Sequence, residues 1–128
     1  MLNGFEEETA PLSENERELL PYIIPLLERC VGKKNAVKSH DISFYLSHTP
    51  GARVDGPRIR KIINHIRTNG LVSCLIASSS GYYIADSEQE LLDYEESLNT
   101  RATAIWKIRG HIMHQRAERF RAEQGVLF

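Results

Sequence analysis

The hydrophobic positions of this chain change period at Gly70. Upstream, Ile59, Ile62, Ile63 and Ile66 fall at i, i+3, i+4 and i+7, the spacing of one helical face, while Arg58, Arg60, Lys61, Asn64, His65 and Arg67 occupy the other faces. Downstream, Leu71–Ala77 and Tyr82–Ala85 are rich in β-branched and aromatic residues and are joined by Ser78-Ser79-Ser80-Gly81, which predicts a β-hairpin. Asp55 or Gly56 caps the helix and Pro57 lies in its first turn. Asn69-Gly70 ends it, with Gly70 able to take the left-handed conformation. A basic amphipathic helix over Pro57–Asn69 therefore runs directly into a hairpin.

The rest of the chain is also mostly helical in pattern. Ser13 with Glu16 is a capping box. It opens a helix over Glu14–Cys30 with Leu19, Leu20, Ile23, Ile24 and Leu27 on one face. Pro21 and Pro25 fall inside it, and an interior proline costs about 3 kcal/mol of helix, so this helix starts late, kinks or breaks. Gly32 and Lys33–Asn35 form a loop, Ala36–Lys38 a short strand, and Ser39 an N-cap. His40–Ser47 is a second helix burying Ile42, Tyr45 and Leu46, and Thr49-Pro50-Gly51 is a turn. Ser87 with Glu90 is a second capping box, opening a last helix that extends to about Gln124. Leu91, Leu98, Ile105 and Ile112 recur there every seven residues with Ile108 between, but Tyr94, Arg101 and Gln115 depart from a coiled-coil seam. Gly110 weakens this helix by about 1 kcal/mol relative to alanine. The expected organisation is a loosely attached acidic segment over 1–12, a folded domain over 13–86 and a C-terminal helix over 87–128.

Composition alone says only that a chain of 128 residues, 41% hydrophobic and 26% charged, can bury a core without disulfides or metal. No apolar run approaches the ~20 residues that span a bilayer, and the acidic N-terminus lacks a leader pattern. A cytoplasmic protein with no membrane partner is expected. Cys30, ending the first helix, and Cys74, in the first strand, read as reduced, partly buried thiols. Charge changes the picture once it is divided along the chain. Residues 1–30 sum to −5, 31–70 to +6, 71–100 to −6 and 101–128 to +4. The near-neutral total hides a positive segment centred on the Pro57–Asn69 helix.

Helix, short strand, helix, helix, strand, strand, long helix is the order of a winged helix-turn-helix domain with a C-terminal helical extension, an α+β, mostly helical fold. The stretch from Val54 to Leu98 also resembles small winged-helix proteins encoded by phages and prophages, a resemblance that covers roughly residues 13–110. The resemblance rests on a helix ending I-R-T-N-G-L, a hairpin carrying G-Y-Y-I-A and a following S-E-Q-E helix start. It implies DNA binding in a transcriptional or replication setting inside a bacterial host. One departure is plain: residues 71–85, the wing, contain no cation.

Candidate chemistry follows from the helix. Opposite the isoleucines, Lys61, Asn64 and His65 are placed for base readout in the major groove of double-stranded DNA, Asn64 suiting adenine and Lys61 guanine. Arg58, Arg60, Arg67, Lys38 and Arg53 are placed for phosphate, and Ser79, Ser80 and Tyr82 for contacts from the wing. The C-terminal helix has three readings: a core element on the first helix, a homodimer interface, or a basic arm on DNA. Its many large apolar residues call for a partner surface, and the two half-sites that helix-turn-helix proteins commonly read favour the homodimer. His40-Asp41 with His48 and His65 evokes the HD phosphohydrolases, but those are larger all-helical domains. His111 and His114 lack a third ligand. With no phosphate-loop, metalloprotease or nucleophile-elbow motif, neither enzyme activity, metal nor cofactor is expected. The alternative function is a protein–protein interaction module using the same face.

Overall fold

The structure is a computed structural model that describes residues 9–48 and 54–121. Five α-helices are defined among these residues: α1 (Glu14–Arg17), α2 (Leu20–Glu28), α3 (Ser39–Leu46), α4 (Gly56–Thr68) and α5 (Glu88–Arg121). A hairpin of β1 (Leu75–Ser78) and β2 (Gly81–Ile84) stands between α4 and α5, and a 3-10 turn spans Lys33–Asn35. The protein is thus mostly helical with one antiparallel hairpin. It divides into two units, Met1–Leu91 and Leu92–Phe128.

The expected first helix is broken in two. Pro21 has no N–H to offer the carbonyl four residues back, so α1 stops at Arg17 and α2 begins at Leu20 with Pro21 in its first turn. Pro25 remains inside α2 on an exposed face, where water reaches the carbonyl left without a donor. Ile23 and Leu27, four apart on the opposite face, are fully buried. In α3, Ile42 and Leu46 are likewise buried, whereas Tyr45, expected inside, is 41% exposed. An eight-residue helix buries one i, i+4 pair, and Tyr45 falls on its flank. Ser39 is the first residue of α3 and not its cap; Lys38 precedes it, its N–H donating to Asp41 Oδ2 at 2.9 Å.

α4 keeps its predicted frame. Asp55 caps it by accepting from the Arg58 N–H, and Ile59, Ile62, Ile63 and Ile66 are all essentially inaccessible. All eight of the most deeply buried large side chains belong to α2, α3 and α4. Leu12, Leu19, Val54, Val72 and Leu75 complete this core, so Leu12, assigned by sequence to the loose N-terminal segment, is part of it. Ser43 Oγ donates to the Val54 carbonyl and ties α3 to the approach of α4.

The hairpin is shorter than expected. Leu71–Cys74 form a turn in which Cys74 has a positive φ of 61°, so β1 starts at Leu75 and Cys74 is exposed outside the strand. Leu75 pairs with Ile84 and Ser78 with Gly81, leaving Ser79 and Ser80 as a two-residue tip. The expected strand at Ala36–Lys38 is a single bridge: Val37 and Tyr82 exchange backbone hydrogen bonds of 3.0 and 2.7 Å, and Val31 makes a second bridge to Ile84. Gly81, at φ 116°, makes that approach possible, because a Cβ there would collide with the Val37 carbonyl.

α5 is one continuous helix of 34 residues with none buried. Ser87 Oγ accepts from the Glu90 N–H, and the Glu90 carboxylate accepts from the Asp86 N–H, which closes its N-terminus much as the capping pattern predicts. The described part ends at Arg121, so its expected extension to Gln124 lies outside the described residues, as do the Thr49-Pro50-Gly51 turn and Arg53. Among the described residues no helix is long and apolar enough to cross a membrane.

Candidate nucleic-acid interface

The outward side of α4 is divided by an acid that comes from α1. Glu16 is the third residue of α1, and its Oε1 accepts from the Ser13 N–H at 2.8 Å while Ser13 Oγ accepts from the Glu16 N–H at 3.2 Å. The same carboxylate reaches across to α4. Lys61 Nζ lies 2.8 Å from Oε1 and Arg58 Nε 3.2 Å from Oε2. Glu16 is only 3% exposed. Burial pushes its pKa up and is the largest single influence. The hydrogen bonds from Lys61, the Ser13 backbone and Arg58 together outweigh it and hold the group at about 2. Glu16 is therefore an anion at neutral pH with two cations fixed on it.

This changes the surroundings of two predicted site residues. Lys61, expected to point directly away from the isoleucine stripe, is folded onto Glu16 with its side chain 17% exposed. Arg58, expected on phosphate, shares that anion. The helical wheel of α4 alone carries no information on α1, whose first turn covers the Arg58–Lys61 flank. Arg60, Asn64, Arg67 and Thr68 lie on the other flank, with Arg60 and Thr68 exposed and Asn64 and Arg67 half-buried. The Arg60 guanidinium lies back toward Gly56. A cleft of about 530 Å³ opens beside this flank, lined by Asn64, Arg67 and Thr68 from α4 and by Ser73 and Cys74 from the turn. His65 is half-buried with its Nδ1 3.3 Å from Asn69 Nδ2, turned toward the helix end.

The remaining predicted contacts are spread out. Lys38 is exposed ahead of α3, and Arg53 lies outside the described residues. Ser79 and Ser80 form the hairpin tip, where the Ser80 N–H donates to Ser78 Oγ. Tyr82, expected as a wing contact, packs against the core, and its hydroxyl lies 3.3 Å from Ser39 Oγ. Tyr83, its neighbour across the strand, is 7% exposed. Two tyrosines on opposite faces of β2 are thus both engaged by the protein, because the bridge to Val37 brings the 31–37 segment alongside Tyr82.

No group of three or more His, Cys, Asp or Glu side chains among the described residues is arranged to hold a metal ion. His40 pairs with its neighbour Asp41, and His114 with Glu118 one turn on. Sequence reasoning missed the patch of Tyr22, Phe44, Tyr45 and His48, where Phe44 is 70% exposed and meets the His48 ring edge-on at 5.1 Å. Its only sequence signal was the Phe44-Tyr45 pair beside the buried i, i+4 positions. Comparison with known protein families, curated proteins and solved structures finds no match to this chain.

Proposed function

We propose that this chain is a winged helix-turn-helix protein that binds double-stranded DNA, with α4 as the recognition helix and the β1–β2 hairpin as a short wing. The observation that carries this reading is the division of α4. Its four isoleucines are locked in the core, and the flank with Arg60, Asn64, Arg67 and Thr68 faces outward just before the hairpin. A helix so anchored can enter a major groove with cations for phosphate and an amide for a base edge. Asn64 is the base reader, suited to adenine, and Arg60, Arg67 and Lys38 are the phosphate contacts. Arg58 and Lys61 orient α4 through Glu16 and do not read bases. The resemblance to phage and prophage regulators supports a role in transcription or replication.

Fluorescence anisotropy with labelled duplexes across a salt series tests the proposal. Binding should fall steeply with salt, and Arg60→Ala or Arg67→Ala should each reduce the slope of log K against log salt by about 1. Asn64→Ala should lose about 1–3 kcal/mol of preference at a single base pair. Absence of binding to any duplex at low ionic strength would overturn it. That outcome would favour a second reading, a protein-interaction module. Its specific support is the exposed Tyr22–Phe44–Tyr45–His48 patch, together with a hairpin that carries no cation.

A further inference from the structure

The unit that begins at Leu92 has a 34-residue helix running through it, and that helix buries nothing. Ile105, Trp106, Ile108 and Ile112 are each more than half exposed, and Leu92, Leu98, Met113 and Phe120 are exposed along the same helix. Apolar side chains in this number on a bare helix mark a surface made for a partner. Leu98, Ile105 and Ile112 form a stripe with seven-residue spacing that is symmetric about Ile105.

Charge selects the partner. Residues 88–100 carry five acids and no base, whereas residues 101–121 carry six bases and one acid. The helix macrodipole favours acids in the first turn and bases in the last, but its influence fades within a turn. It leaves unexplained Glu95, well inside the acidic half, and Arg101 and Arg109, far from the C-terminal end. Glu95 lies three residues before Leu98, and Arg116 four after Ile112, so both border the apolar stripe. A parallel copy would set acid against acid and base against base. An antiparallel copy centred on Ile105 sets residues 89–100 against 110–121, acid against base, and leaves Arg101 level with Arg109.

We propose that α5 pairs antiparallel with α5 of a second copy of this chain, centred on Ile105. In that arrangement Leu98 of one copy is level with Ile112 of the other. Glu95 is level with Gln115 and next to Arg116 of the second copy, and two-fold symmetry makes this pair twice. The stripe supplies the attraction and the charge pattern supplies direction and register. Pairing does not depend on whether α4 binds DNA.

Sedimentation of the full chain without DNA tests the proposal. The wild type should dimerise reversibly, and Ile105→Glu should be monomeric. Glu95→Arg and Arg116→Glu should each weaken the dimer about tenfold, since each converts two attractions into two repulsions. An equimolar mixture of these two variants, or the double variant Glu95→Arg/Arg116→Glu, should recover wild-type affinity. Both positions are exposed, so neither reversal disturbs a core. A wild type that stays monomeric overturns the proposal. So does a dimer indifferent to both reversals, the behaviour of a parallel pair, in which each reversal exchanges one like-charge contact for another.

Discussion

Glu16 does three jobs with one carboxylate: it completes the capping box with Ser13, it anchors Lys61 and it anchors Arg58. An acid this buried is tolerable only because its oxygens are saturated by donors, two of them charged. Its folded-state pKa of about 2 lies below the ordinary value of 4.5, so the unfolded chain takes up the proton first as pH falls. The stabilisation is full above pH 4.5 and is lost as the pH drops through 4.5 toward about 2. The displacement corresponds to about 3 kcal/mol. Glu16→Gln should therefore destabilise the protein by about 2–3 kcal/mol at pH 7, with Lys61 and Arg58 left facing a neutral group. Urea unfolding at several pH values checks this: wild type and variant should differ most above pH 4.5 and converge toward pH 2. A gap that stays constant over that range would count against the assigned role. Gly81 is the other residue whose identity is dictated by contact. Gly81→Ala places a methyl on the Val37 carbonyl at a φ that alanine rarely adopts, and should cost at least about 2 kcal/mol in thermal or urea unfolding.

At the scale of elements, what could be read from sequence was what each helix owes to its own periodicity. The isoleucines of α4, the caps at Ser13, Asp55 and Ser87 and the turn within Ser78–Gly81 all depend on neighbours within four residues, and each is found within a residue of where the pattern places it. The site residues that differ from expectation are those held by partners distant in sequence. Lys61 is drawn to Glu16, 45 residues away, and Tyr82 toward Ser39, 43 residues away. Val37 takes a bridge from β2 without forming a strand of its own. The site was therefore legible as a helix and a face, but the flank of that face left open by α1 was not. Gly110 is an element-scale weakness visible at both levels: it sits inside α5 with nothing within 4 Å of where a Cβ would be. Gly110→Ala should stabilise α5 by up to about 1 kcal/mol, read as a higher melting temperature for the helix signal in far-UV circular dichroism.

For the whole molecule, the two units draw their stability from different sources. The first has a continuous core in which α2, α3 and α4 contribute every one of the most deeply buried large side chains. The helix of the second has no buried residue, so as a monomer it relies on local hydrogen bonds, its N-terminal cap and side-chain pairs such as His114 with Glu118. Isolated helices gain little from such terms, whereas association adds free energy that grows with protein concentration. Thermal unfolding followed by circular dichroism should therefore resolve two transitions. The one belonging to α5 should shift upward as protein concentration rises, and Ile105→Glu should abolish that shift. The one belonging to the core should not move with concentration, and Ile63→Ala should lower it by the equivalent of about 2–5 kcal/mol, the usual cost of emptying a buried isoleucine site. A single transition in which both substitutions act together would mean that the two units fold as one.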